Sequence, residues 1–332
     1  MANGSILVTG GAGYIGSHIA RQLGEAGERV IVLDNLTKGF RQAVISGKLI
    51  VGDVGDYSLV TRILAEHQVD TVMHFAAHTV VPESVALPLK YYGNNTCATR
   101  SLLQACIENS VKNFVFSSTA AVYGMPQDGY ASEDSPTIPI NAYGTSKLMS
   151  EWMLRDVAAV NPLRYVALRY FNVAGSHPGG LIGQSTPGAT LLTKAACEAM
   201  VGKRPHVSVF GSDYPTPDGT GVRDYLHVED LAAAHLNALD YLRSGGKSTI
   251  LNVGYGHGYS VREVLRMLEQ VAGKPLVVRE EPRRQGDPAY LVARADRIRS
   301  ELGWRPRHDD LSAIVSSSLA WERKLLQDPW KN

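Results

Sequence analysis

Through the first half of the chain, short runs of β-branched and other apolar residues alternate with longer stretches in which apolar positions recur at helical spacing. This is the pattern of βαβ units feeding a parallel sheet. Residues 6–8, 30–33, 49–51, 71–75, 114–116 and 165–168 predict strands, and residues 15–25, 57–66, 95–108 and 143–157 predict the helices between them. Strands and helices in that order predict a doubly wound parallel Rossmann sheet. Beyond about Phe171 the texture changes: residues 176–188 and 203–222 are rich in Gly and Pro and contain only short regular pieces. Later amphipathic helices are expected over 229–243, 261–271 and 310–324, with residues 248–253 returning a strand to the main sheet. We therefore expect an α/β protein in which residues 1–171 form the parallel-sheet domain and take back segments from about 224–260. A smaller C-terminal lobe, drawn mainly from 172–332, interleaves with it, since no linker separates independent units.

Composition narrows the partners. The 332 residues are 44% hydrophobic and 20% charged with a formal net charge of +1, so no global basic field exists to hold nucleic acid or an anionic membrane surface. Any anionic ligand must be met by a few placed groups, which points to a small molecule. The N-terminus, Met1-Ala2-Asn3-Gly4-Ser5, runs into an apolar strand without a charged leader, so a cytoplasmic protein is expected, and no apolar run reaches the roughly 18 residues of a membrane span. Cys97, Cys106 and Cys197 are odd in number and lack CxxC spacing, which fits reduced, buried thiols rather than a disulfide framework or zinc site. Asn94-Asn95-Thr96 has the form of a glycosylation acceptor, but outside the secretory path it is not used. His74 and His78 stand four apart at a strand end rather than on a zinc-protease helix, so no metal is expected.

Directly after the first strand comes Thr9-Gly10-Gly11-Ala12-Gly13-Tyr14-Ile15-Gly16, opening a helix. Gly10, Gly13 and Gly16 let the turn tighten, let backbone N–H groups approach a pyrophosphate, and let helix and strand pack closely. The second strand ends in Asp34, 18 residues after Gly16, where a carboxylate accepts both adenosine ribose hydroxyls. Its charge favours NAD over a 2′-phosphorylated dinucleotide, although Lys38 nearby leaves the second option open. Asp53, after the third strand, is either an adenine contact or an ordinary loop aspartate.

Tyr143-Gly144-Thr145-Ser146-Lys147 opens a helical pattern, and the i, i+4 spacing puts phenol and ammonium on one face. A phenol is a poor base at neutral pH, but an adjacent cation stabilises phenolate, so Tyr143 becomes a candidate acid–base group. The fifth strand ends in Ser117-Ser118-Thr119, and strand C-termini are where a doubly wound sheet holds its ligand.

Residues 10–18, Asp34-Asn35-Leu36, His74-Phe75-Ala76-Ala77, 91–95, 117–124, Tyr143-x-x-x-Lys147, Arg169-Tyr170-Phe171-Asn172 and 218–225 together resemble the UDP-glucose 4-epimerases, an extended short-chain dehydrogenase/reductase family of NAD-dependent sugar-nucleotide epimerases. The resemblance spans nearly the whole chain. It implies reversible C4 epimerisation of UDP-glucose and UDP-galactose through a 4-keto intermediate, with Tyr143 moving the 4-OH proton, Thr119 bonded to the same oxygen, and Lys147 holding the nicotinamide ribose and depressing the tyrosine pKa. It further implies that Tyr14, Ile15, Asn35, Val54, Phe75, Ala76, Ala77, Asn94, Ser117 and Tyr170 lie along NAD. On the substrate side it implies Arg223 and Arg284 on the diphosphate with Asn172, Phe210 at the uracil, Asp287 at the uridine ribose, and Leu191 beside the substrate. Read without the resemblance, Arg223 pairs with Asp224 in a structural corner, Arg284 is a solvated loop charge and Phe210 is core. A homodimer built on helices 95–108 and 143–157 is also implied.

The chain departs from the family's common pattern at Thr119 (usually Ser), at Thr79 (often Lys) and over residues 187–194, while Leu291 stands where the family varies the wall of the sugar pocket. Another UDP-sugar, an N-acetylhexosamine, pentose or uronate, therefore remains an alternative substrate. A 4,6-dehydratase needs an acid and a base after the strand-end hydroxyl, and this chain has Ala120-Ala121 there. A non-catalytic NAD-sensing regulator would not need the tyrosine, lysine and hydroxyl, all of which are intact.

Overall fold

The computed structural model describes residues 4–284 and 286–330; Met1, Ala2 and Asn3, read above as the start of a leaderless chain, lie outside the described residues, as does Gln285. In chain order the first half comprises β1 (Ser5–Thr9), α1 (Tyr14–Glu25), β2 (Val30–Asp34), β3 (Lys48–Val51), α2 (Tyr57–Glu66), β4 (Val69–His74), α3 (Val81–Ala86), α4 (Pro88–Tyr91), α5 (Ala98–Glu108), β5 (Asn113–Ser117), β6 (Tyr130–Ala131), α6 (Ala142–Val160) and β7 (Arg164–Tyr170). The second half adds β8 (Asn172–Ala174), α7 (Leu192–Met200), β9 (Val207–Phe210), β10 (Val222–Arg223), β11 (Tyr225–His227), α8 (Val228–Arg243), β12 (Thr249–Val253), β13 (Tyr259–Ser260), α9 (Val261–Ala272), β14 (Val278–Glu281), β15 (Tyr290–Ala293), α10 (Asp296–Leu302) and α11 (Leu311–Gln327).

Seven parallel strands form the central sheet in the order β12-β7-β5-β4-β1-β2-β3, the doubly wound arrangement that the alternating pattern predicts. Its inner strands carry almost continuous apolar runs because both faces are covered. Ile6 and Val8 of β1 face a core shared with α1 and α8, whereas Leu7 faces a second core shared with α2 and α5. The returning strand expected over 248–253 is β12, which pairs with β7 from Thr249↔Val166 to Val253↔Tyr170. Glu229 of α8 bonds to His18, Arg21 and Gln22 of α1, fastening the two helices over the sheet.

The smaller sheets are threaded through both halves of the chain: β6 pairs with β15, which continues through β10 to β13, while β8 pairs with β11 and β9 with β14. Asp224 stands at their junction and accepts backbone N–H bonds from Tyr255, Gly256 and Ala293; burial raises its carboxyl to about 6. A capping box of Ser260 and Glu263 starts α9, and Gly273, left-handed at φ 70°, ends it.

Two expectations change. The helix expected over 95–108 begins as a wide π turn, Tyr92–Cys97, and becomes regular only at Ala98. Gly93, Asn94 and Asn95 are weak helix formers, and the Asn95 amide bonds to both backbone groups of His78. Cys97 is exposed on this turn rather than buried like Cys106 and Cys197; all three are free. Two short helices, α3 and α4, precede the turn, each with proline in its first turn. Among the described residues no helix is long and apolar enough to cross a membrane, and no cluster of three His, Cys, Asp or Glu side chains could hold a metal ion.

Beneath the sheet's carboxyl edge, Glu151 of α6 is gripped by Arg169 of β7 at 2.9 and 2.6 Å and by the Ser118 hydroxyl at 2.5 Å. All three residues are buried. Glu151→Ala leaves the Arg169 cation unpaired and is expected to cost about 3–5 kcal/mol, seen as a lowered urea midpoint. Burial holds three histidines neutral, with His74 and His227 down to about 3 and His235 down to about 4. These values lie below the ordinary 6.5, so as pH falls the unfolded chain binds protons first. Their contribution is present above about 6.5 and is lost on the way down to about 3. His235→Leu is therefore expected to shrink the drop in urea midpoint between pH 7.5 and pH 5.

Candidate active site

A cleft of about 700 Å3 runs along the carboxyl ends of the central strands. At one end is the turn from β1 to α1. Gly10 has φ 69°, and a Cβ there would lie 2.6 Å from the Ala76 nitrogen, so only glycine lets this turn cross the end of β4. A Cβ on Gly16 would meet the Gly10 carbonyl oxygen at 2.4 Å. Gly13 caps α1 without any side-chain hydrogen bond, and the helix has no acidic residue in its first turn. Such an end offers backbone N–H groups and a positive dipole to an anion.

Gly10, Gly13, Tyr14, Ile15, Gly16, Asp34, Asn35, Asp53 and Val54 all line the cleft. Asp34 accepts from the backbone of Ala12 at 3.0 Å and Leu36 at 2.8 Å, one bond to each oxygen, which leaves each oxygen further acceptor capacity. Burial raises its carboxyl above the usual range. Asp53 is exposed and receives Asn35 Nδ2 at 2.8 Å and the Gly55 N–H. The Tyr14 hydroxyl donates to the Gly175 carbonyl at 2.6 Å, tying α1 to the second half of the chain.

Phe75, Ala76 and Ala77 follow β4 along the cleft floor, and Asn94 reaches it from the π turn. Asn95 fixes this arrangement: besides its two His78 bonds it donates to Ser146 Oγ of α6 at 3.0 Å. His74 is a structural residue, bonded to Thr9 at 2.7 Å and Thr99 at 2.9 Å.

Asn141 caps α6 by accepting from Gly144 N–H at 2.9 Å, which sets Tyr143 in the first turn. A Cβ on Gly144 would fall 2.6 Å from the Ala121 carbonyl oxygen, so glycine permits the helix to seat on the short turn after Thr119. Thr119 Oγ1 accepts from the Ala121 N–H at 3.1 Å, and its hydroxyl draws the Tyr143 phenol pKa downward. Lys147, one helical turn further on, donates to the Ser117 carbonyl at 2.9 Å and lies 5.0 Å from the Phe116 ring centre. Ser117 Oγ in turn bonds the Tyr170 hydroxyl.

Desolvation dominates the electrostatics of the pair. Burial raises the Tyr143 phenol above its ordinary value, and the Thr119 hydroxyl is the opposing influence. Lys147 suffers the same desolvation, which brings its amine down to about 7 against the sustaining charge of Glu151. The ammonium points to a carbonyl at the end of β5, and burial outweighs proximity on one helix face.

On the far side, Asn172, Leu191, Arg223 and Asp287 line the cleft, as does Leu291. Arg223 reaches Asp287 at 3.5 Å rather than Asp224. Phe210 and Arg284 are not among the lining residues; the Arg284 guanidinium stacks on the Phe210 ring at 3.6 Å, and burial lowers its pKa. A strap over residues 184–191, which ends in Leu191, reaches the loop after Asp34, with Thr186 Oγ1 donating to the Lys38 carbonyl at 3.3 Å.

Sequence reasoning assigned no role to Glu151, Ser118 or Asn95. A carboxylate four residues after Lys147 on the same helix was the available signal for Glu151. Nothing local announced the Asn95 clamp. His78, Lys90 and Glu83 also line the cleft, with Lys90 donating to Glu83 at 2.8 Å.

The sequence pattern of the NAD dependent epimerase/dehydratase family matches residues 6–254. The chain is 55% identical over 327 residues to a UDP-glucose 4-epimerase of Azospirillum brasilense, covering 98% of this chain and 94% of the relative. It superposes on a UDP-glucose 4-epimerase from Brucella ovis in complex with NAD, with a TM-score of 0.93 and 40% identity over 96% of this chain and 98% of the other. It also superposes on the Bifidobacterium longum enzyme in complex with NAD+ and UDP, with a TM-score of 0.91 and 41% identity at the same coverages. With the glycine turn, the strand-end hydroxyl and the tyrosine–lysine helix meeting in one cleft, and with identity of this order along almost the full length, the chain belongs to the NAD dependent epimerase/dehydratase family.

Proposed function

We propose that the protein interconverts UDP-glucose and UDP-galactose by epimerisation at C4, using resident NAD. The observation that carries the reading is the convergence of Thr119 and Tyr143, from two elements, on one cleft that begins at the glycine turn, with Lys147 buried one helical turn behind Tyr143 and bonded to the carbonyl of Ser117, which lines the same cleft. The residues present suit a dinucleotide. The uncapped start of α1 takes a pyrophosphate, Asp34 retains acceptor capacity for ribose hydroxyls, and the glycines leave a cradle that a Cβ would fill. Asn35, Val54, Phe75, Ala76, Ala77, Asn94, Ser117 and Tyr170 complete the wall along which NAD lies in this reading. NAD, when bound, supplies the hydride acceptor and donor.

The chain's own residues do the rest. Tyr143 Oη takes the proton of the sugar 4-OH and later returns it, while Thr119 hydrogen-bonds the same oxygen. The burial that raises the phenol also strengthens any positive charge beside it, and Lys147 as ammonium is a charge the chain itself supplies. Arg223 and Arg284 hold the diphosphate with Asn172, while Phe210, Asp287 and Leu191 hold the uridine and the sugar side. Those anchors keep the nucleotide in place while the ketose presents its other face.

Ala120 and Ala121 line the cleft beside Thr119 and can move no proton, which disfavours water elimination. We place the enzyme in the cytoplasm and infer a homodimer through α5 and α6. Met149, Trp152 and Val160 of α6 are exposed, with Val160 at 81%.

Incubation with UDP-galactose is expected to yield UDP-glucose without net accumulation of NADH, and a panel of other UDP-sugars defines the range accepted. Tyr143→Phe is expected to lower kcat by about 100-fold or more while NAD still binds. Retention of most activity in that variant overturns the assignment.

A further inference from the structure

Two irregular segments of the cleft wall meet each other: the loop 35–40 after Asp34, and the strap 184–191. Neither has regular structure to hold it, so its position depends on side-chain tethers. Behind both walls lies an aromatic cluster. Phe40, 5% exposed, donates its N–H to the Ala12 carbonyl at 2.9 Å, next to the glycine turn. Its ring meets Trp330 at 5.9 Å between centroids, and Trp330 meets Trp321 of α11 edge-on at 5.0 Å. Trp321 is 2% exposed and packs so tightly on Gly183, where the strap begins, that a Cβ there would lie 2.6 Å from the indole. Lys324 extends the same side of α11, lying over the Trp321 ring and donating to the Gly180 carbonyl at 2.7 Å. On the cleft side, Thr186 bonds the Lys38 carbonyl.

We propose that Trp330 is a positioning residue for the dinucleotide: wedged between Phe40 and Trp321, it locks the loop 35–40 to the strap 184–191 so that the two walls open together. Trp330 is not among the residues lining the cleft, so it acts only through its neighbours. The edge-on Trp321–Trp330 pair and the tilted Phe40–Trp330 pair each add packing energy to the contact that joins the two loops. The consequence is slow release of NAD, and in naming NAD the inference rests on the function proposed above.

The test compares full-length Trp330→Ala and Trp330→Phe with the unaltered protein by three readings: the rate of NAD release after dilution, the rate of thermolysin cleavage within 184–191, and the melting temperature without NAD. The alanine variant is expected to release NAD about tenfold faster and to be cleaved faster in the strap, with the phenylalanine variant restored toward the original on both. A lowered melting temperature with unchanged release and cleavage would mean a merely structural tryptophan and would overturn the proposal, as would equal release by the two variants. If the unaltered protein retains no NAD, the functional reading fails, and the cleavage rates alone then decide whether the lock exists.

Discussion

The arrangement of the site depends on the burial of one amine. Lys147 sits in the seam between β5 and α6, where its Nζ bonds the Ser117 carbonyl. A cation in such a place is tolerable only if other groups hold the seam and offset the lost hydration. Glu151 does both: its carboxylate lies one helical turn along, and its bonds to Ser118 and Arg169 join α6 to the two strands that flank it. Arg169 passes the connection on to the Tyr123 hydroxyl, and Tyr123 to Asn252 of β12. The polar ladder thus runs from the helix that carries Tyr143 to the last strand of the sheet.

Everything else at the cleft is placed relative to that seam. The π turn brings Asn95 onto Ser146 and the 75–80 loop, so the floor of the cleft is indexed to the same helix that carries Tyr143. The glycine turn crosses the end of β4 from the other side, with no space for a side chain between them. The second half of the chain is then tied to the glycine turn through Tyr14 and Gly175, so the walls of the cleft come from different parts of the sequence within one sheet's reach.

Much of this was legible before any coordinates, for a physical reason. Strand runs such as 30–33 and 114–116, the glycine spacing at 10, 13 and 16, and the Tyr143–Lys147 interval are short-range signals, each readable from one window of sequence. What escaped depends on contacts between windows. The Glu151 clamp needs β5, α6 and β7 side by side, and the stacking of Arg284 on Phe210 needs β9 and the 284 loop brought together. The spacing i, i+4 reveals proximity but not desolvation, and burial raises the phenol while it pulls the amine down to about 7. The π turn failed to announce itself because its cause, the two bonds from Asn95 to His78, spans 17 residues.

The order of strands has a consequence for biosynthesis. β7 is complete at Tyr170, yet its outer neighbour β12 begins only at Thr249. While the intervening residues leave the ribosome, the growing sheet presents an unpaired parallel edge, Arg164–Tyr170, whose central residues are apolar. Such an edge is a template for intermolecular pairing. The nascent chain is therefore most vulnerable to aggregation in that interval, and a slowed translation between these two strands would lengthen the exposure.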